Sequence, residues 1–165
     1  MLTRDQPASS ARKRADHGKR AGSKPKVDRA GLDDLIGFHL RMAYLSISRH
    51  FAAAMGRLDL TQKQTGVLWL IGANGGISQV TLARELGMDR ASMMAIIDRL
   101  DGRQLVIRER SNHDGRRQEL YLTPKGQKIL AQSKVTVLDH EKWIAEHFEK
   151  DELADLLALL RRIEL

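Results

Sequence analysis

From Leu32 onward the apolar residues recur mostly at intervals of three and four, the spacing of a single helix face. The spacing predicts a long helix over 32–57. Leu35, Phe38, Met42 and Leu45 mark one face, and Leu40, Ile47, Phe51 and Ala54 mark others. A helix apolar on nearly all sides needs more cover than one small domain supplies, and a second subunit is the simplest source. Thr61 and Gln64 then make a T-x-x-Q capping box ahead of Val67, Leu68, Leu70 and Ile71. The helix predicted over Thr61–Ala73 stops at Asn74-Gly75-Gly76, a strong loop signal.

Two shorter helical patterns follow, joined at Gly87. Val80, Ala83 and Leu86 share one side of the first; Met93, Ile96, Ile97 and Leu100 share one side of the second. Ser78 and Asp89 stand where an N-cap accepts orphan backbone N–H groups, and Gly87 supplies the turn, so the pair reads as helix-turn-helix. The pattern then becomes strand-like over Leu105–Arg110 and Gln118–Thr123. Between these runs Asp114-Gly115 is a hairpin signal, with Arg116 and Arg117 at the tip. Ile77 is expected to make a one-residue strand contact beside that hairpin. A helix-turn-helix followed by a basic-tipped hairpin predicts a winged DNA reader.

Thr123-Pro124 places a capping hydroxyl before a proline at the first helical position. The helix it starts, expected over Thr123–Phe148, carries Leu130, Val137, Ile144 and Phe148. A last helix begins near Asp151 and shows Leu153, Leu156, Leu157, Leu160 and Ile163 at helical spacing. Part of each stripe must pack within the chain, and the remainder predicts dimerisation. The expected fold is mainly α with a small β-hairpin wing. Residues 1–31 form a disordered basic tail, 61–123 the DNA-binding winged helix, and 32–57 with 124–165 the dimerisation helices.

Charge sharpens this division. Residues 1–31 hold nine Lys and Arg against Asp5, Asp16 and Asp28, a net +6 of the chain's total of +7. Residues 32–165 therefore carry +1, and DNA binding by the folded part has to rest on its motif. The tail has no aromatic residue and too little apolar surface to offset its ordering entropy. It is either a solvated extension or an arm adding phosphate contacts indifferent to sequence. Cysteine is absent, which excludes disulfides, thiolate nucleophiles and thiol redox switching. No apolar run approaches the ~18 residues of a membrane span, and the N-terminus lacks a secretory apolar core, so a soluble cytoplasmic protein is expected.

Enzymatic signals are missing: there is no Gly-rich phosphate loop, nucleophile elbow or paired-carboxylate motif. No cofactor is expected. His140 and His147 are two turns apart, too distant for one metal, and a solvated face is the expectation. His39 and His50, three turns apart on the first helix, form no obvious cluster.

Residues 32–165 resemble the MarR family of transcriptional regulators. The likeness is carried by LTQKQTGVLWLI, by VTLARELGMDRASMMAIIDRL and by LVIRERSNHDGRRQELYLTPKG. The last holds a D-x-R element, Asp114 and Arg116, followed by Leu120, Leu122, Thr123, Pro124 and Gly126. The resemblance implies a winged-helix homodimer on a pseudo-palindromic double-stranded operator, repressing genes and letting go when a small aromatic, anionic ligand binds. The alternative is a constitutive DNA-binding or protein-interaction module without effector response. By the same resemblance, Asp89–Asp101 is the recognition helix, with Arg90 and Ser92 near bases or phosphates. Ser78, Gln79 and Thr81 face the backbone. Arg116 enters the minor groove, held by Asp114, and Arg117 meets a phosphate.

Three positions depart from the family pattern. Met94 and Ala95 replace a hydroxyl and a basic residue, so Met94 either touches thymine methyls or packs in the core. Gln104 stands where a glycine usually takes the left-handed helix end, and Gly102 is a candidate to shift that end. For the effector, the junction of the first helix, the Thr61–Ala73 helix and the Thr123–Phe148 helix is expected to offer Phe38, Met42, Tyr44 and Trp69 as apolar walls. His39, Arg41 and Arg49 are candidate partners for an anionic group. Phe38, Met42 and Trp69 each have core packing as their other reading.

Overall fold

The computed structural model describes residues 27–110 and 118–163. Contacts divide the chain at Asp34, and Leu35–Leu165 form one compact unit. Residues 32–34 make a single 3-10 turn, so the first helix is shorter than the apolar pattern implied. The unit contains α1 (Ile36–Met55), a 3-10 turn at Gly56–Leu58, α2 (Gln62–Ala73), α3 (Gln79–Glu85) and α4 (Arg90–Gly102). These are followed by β1 (Val106–Arg110), β2 (Gln118–Leu122), α5 (Pro124–Ala145) and α6 (Lys150–Arg161). The helix expected from near Asp151 thus starts a residue earlier, capped by a box between Glu149 and Glu152.

The capping chemistry read from the chain is present in space. Thr61 accepts from Gln64 N–H at 3.2 Å while the Gln64 side chain accepts from Thr61 N–H at 2.9 Å. Thr123 Oγ1 accepts from Gly126 N–H at 2.9 Å ahead of α5. Gly87 takes φ +58°, and Met88 N–H donates to Ala83 at 2.8 Å, closing α3 with a Schellman turn. α4 closes in the same way: Leu105 N–H donates to Leu100 and Gln104 N–H to Asp101. Here the left-handed residue is Gln104, φ +59°, while Gly102 stays inside the helix. The helix end is therefore not shifted, and a side chain occupies the position that suits glycine.

The core gathers Val67, Leu68 and Ile71 of α2, Leu82 and Ala83 of α3, and Met93, Ile97 and Leu100 of α4. Leu105, Val106, Leu120 and Leu130 close it from the hairpin and α5. Burying each such large side chain contributes about 1.5–3 kcal/mol before entropy is counted. The inward face of α3 is Leu82–Ala83 with Leu86 half-buried; Val80, expected beside Ala83, is 56% exposed. β1 and β2 pair antiparallel with Val106 opposite Leu122 and Arg108 opposite Leu120. Ile77 bridges Leu120, adding the expected short strand contact.

Gly126 is explained by close approach. A Cβ there would lie 1.9 Å from the Leu105 carbonyl oxygen, which also accepts from Thr123 N–H at 3.1 Å. The start of α5 is thereby pressed onto the junction of α4 and β1. α1 packs on the far half of α5. His50 stacks on Trp143 with centroids 3.9 Å apart, and His140 is buried, its edge on Phe51. The solvated face expected for His140 is thus a packed one, and His50 belongs to a cluster that no local spacing announced.

Candidate nucleic-acid interface

Two caps set the angle between α3 and α4. Ser78 Oγ accepts from Thr81 N–H at 3.1 Å and lies 2.9 Å from Thr81 Oγ1, so the two hydroxyls satisfy each other at the start of α3. Asp89 accepts from Ser92 N–H at 2.8 Å and from Ser92 Oγ–H at 2.6 Å. These two bonds, the hydroxyl's first, hold the Asp89 carboxyl below its ordinary range. Ser92, expected to reach bases or phosphates, has its hydroxyl proton committed to this cap and keeps only acceptor capacity.

Burial sorts the α4 side chains cleanly. Met93, Ile97 and Leu100 face the core, whereas Arg90, Ala91, Met94, Ala95, Asp98 and Arg99 are exposed. Met94 is 52% exposed, which removes the core-packing alternative and leaves its thioether on the outer face. Among the described residues Arg90 has no hydrogen-bonded or ion-paired partner, so its guanidinium is available at the helix start. Gln79 is half-buried in the first turn of α3 beside Ser78. Asp114, Arg116 and Arg117 lie outside the described residues.

Three further side chains fix the far end of α4, and the sequence reading missed them. Arg108 of β1 bonds Asp98 and lies 3.3 Å from Asp101, tying the hairpin to the helix. Arg103 donates to the carbonyls of Asp59, at 2.5 Å, and Leu58, at 2.9 Å. Lys125 donates to the Arg103 carbonyl at 2.8 Å. An arginine opposite two aspartates is a charge pattern that could have been sought. Bonds to backbone carbonyls leave no such trace.

Among the described residues, the cavities between the helices are lined by none of the seven expected effector residues. Phe38 is half-buried with His39 edge-on at 5.7 Å; His39, Arg41, Met42, Tyr44 and Arg49 are exposed. Arg49 donates to the Leu45 carbonyl, and Trp69 lies beneath the Lys134 ammonium at 4.9 Å. A cavity of about 370 Å³ opens instead between α2, β2 and α5, lined by Gly72, Tyr121, Leu130 and Lys134. A smaller one of about 200 Å³ lies between α1 and the end of α5, against Trp143 and Phe148. Among the described residues no group of three or more His, Asp or Glu is placed to hold a metal. None of the described helices is long and apolar enough to cross a membrane.

Comparison with known proteins agrees with this geometry. The model of the MarR family matches residues 58–117. A putative transcriptional regulatory protein for the hcr operon of Thauera aromatica is 30% identical over 161 residues, 97% of this chain and 90% of its own length. The transcriptional repressor CouR bound to a 23-mer DNA duplex superposes with TM-score 0.79 at 35% identity, covering 84% of this chain and 98% of its own. CouR bound to p-coumaroyl-CoA gives 0.78 at 34%, over 84% and 97%.

Proposed function

Because the chain belongs to the MarR family of transcriptional regulators, we propose that it is a dimeric, sequence-specific repressor released from its operator by a small aromatic acid or aromatic acyl-CoA. Its family and relatives are regulators rather than enzymes. The observation that carries the reading is α4: capped, packed on its inner face and bare on its outer one, beside a hairpin that Arg108 clamps to it. Such a helix enters the major groove with its N-terminal residues near base edges. Arg90 is the exposed donor there, with Ser78, Gln79 and Thr81 toward the backbone and Asp114, Arg116 and Arg117 at the wing.

Support for a dimer comes from apolar surface the single chain leaves open. Leu157, Leu159 and Ile163 at the C-terminus and Leu35, Ile36 and Leu40 at the start of α1 are all exposed. Two chains sharing these faces would present two reading helices to a pseudo-palindromic site. Support for the ligand class comes from the likeness to CouR, whose complex contains p-coumaroyl-CoA. We assign the effector site to the junction of α1, α2 and α5, where a second chain would have to complete a pocket with Phe38, His39, Arg41, Met42, Tyr44, Arg49 and Trp69.

The test is a duplex selected by the protein from a random library, then challenged in a band shift with aromatic acids and their CoA thioesters. Selection of a two-fold sequence released by one of these compounds is the expected result. Weak binding to any duplex, lost steeply with salt and indifferent to every compound, would replace this reading with a constitutive DNA-coating module.

A further inference from the structure

We propose that Arg103 is a positioning residue for DNA reading: it pins the C-terminal end of the reading helix α4 to the link between α1 and α2, so that α1 and α4 move as one piece. The inference rests on the DNA-reading role assigned to α4 above.

The link is the short stretch Gly56–Leu60. Its 3-10 turn ends at Asp59, which takes a left-handed φ of +48°. A helical turn that stops leaves carbonyls without partners inside the helix. The Leu58 and Asp59 carbonyls are two such groups, and the Arg103 guanidinium donates to both, from 44 and 45 residues away in sequence. The Asp59 carboxylate adds charge, 3.7 Å from Arg103 and 3.8 Å from Arg99 one turn earlier on α4. The geometry needs arginine. A planar fork reaches two adjacent oxygens at once, whereas a lysine ammonium is a point charge on a flexible stem. The Arg103 side chain is 26% exposed, so these bonds are partly sheltered from water.

The backbone of the same residue is held from the other side. Lys125 in the first turn of α5 donates to the Arg103 carbonyl, and Thr123 Oγ1 donates to the next carbonyl, Gln104, at 2.6 Å. Residues 103–104 thus join the 3-10 turn that follows α1 through a side chain, and the start of α5 through the main chain. Both of those helices carry apolar surface that the chain leaves exposed. A shift of α1 relative to α5 has to displace the end of α4 or break these bonds. Arg103 is 13 residues beyond Arg90 at the opposite end of the helix from the base-facing turn, so its role here is to aim that turn.

Arg103→Met keeps the length of the stem and removes the donors; Arg103→Lys keeps the charge and loses the fork. Each is compared with wild type on the duplex that wild type selects from a random library and on an unrelated duplex, at several salt concentrations. The expected result is a loss of about tenfold on the selected duplex for Met, the scale of a charged hydrogen bond. Lys should lose less, and binding to the unrelated duplex and the salt slope should not change. Unchanged affinity for the selected duplex would overturn the proposal. So would an equal loss on both duplexes with a salt slope reduced by about one, which would make Arg103 a phosphate contact. Hydrogen exchange without DNA supplies a second arm: amides at 57–60 and 99–105 should speed up together in the Met variant, and unchanged exchange there overturns the pin. A wild-type protein that selects no duplex would instead overturn the function proposed above, and the exchange arm still decides the pin.

Discussion

His50 and His140, 90 residues apart in the chain, bring their Nδ1 atoms to 2.7 Å from each other. At that distance one nitrogen donates and the other accepts, so the two rings present complementary tautomers to each other. Burial, then the neighbouring His50, keeps the His140 pKa below its ordinary 6.5, with Glu141 pulling weakly the other way. An unfolded chain therefore takes up a proton on His140 that the folded chain refuses. The stability linked to His140 is complete above about pH 6.5, falls as the pH drops toward the lowered folded value, and then levels off. Urea unfolding at pH 5.5 and 7.5 should show the loss, and His140→Phe should show less of it. Equal slopes for the two proteins would refute the assignment to this pair.

Gly126→Ala should destabilise the protein strongly. Its methyl group would meet the Leu105 carbonyl oxygen at 1.9 Å, and that atom is main chain in a corner where α4, β1 and α5 converge. Forcing such an overlap costs about 1–3 kcal/mol or more. A urea midpoint equal to wild type would mean the corner is softer than the geometry implies.

Gln104→Gly should do the reverse. The left-handed backbone at φ +59° costs a residue with a Cβ about 1–2 kcal/mol, and glycine gives back part of that gain through its freer unfolded chain. The net expectation is a stabilisation of about 0.5 kcal/mol, seen as a higher melting temperature with operator affinity intact. A lower melting temperature would contradict it.

At the wing, Arg116→Ala is expected to weaken binding to the selected duplex by about 1–3 kcal/mol if that arginine contacts a groove. Asp114→Ala should weaken binding too, although it removes a charge that repels DNA. Tighter binding by the Asp114 variant would show that its role is not to hold Arg116.

Removing residues 1–31 should flatten the salt dependence of DNA binding without changing the preferred sequence. A tail of net +6 releases counterions but reads no bases. An altered consensus after deletion would count against this.

What could be read from the chain was mostly local. Thr61 with Gln64, Ser78, Asp89 and Thr123 with Pro124 each act within four residues, and each cap is found where the residue types placed it. Even the Ile77–Leu120 bridge followed from a lone apolar residue beside a hairpin. The errors arose where distance or partner type hides the signal. His50 and His140 looked idle because helical spacing says nothing about a neighbour on another helix. The partners of Arg103 leave no trace in the sequence because carbonyl groups have no letter there. Helical period puts Val80 on one side with Ala83 and Leu86, yet it is exposed, in a helix of seven residues whose inner face is only Leu82 and Ala83 wide.

Met94 carries a consequence for oxidative chemistry. The chain has no cysteine, yet a thioether stands 52% exposed on the outer face of α4. Peroxide converts such a sulfur to a sulfoxide, turning a flexible apolar side chain into a polar, chiral one. On the face proposed to enter the major groove, that single oxygen atom should change which bases the helix tolerates, in a chain that has no thiol to oxidise.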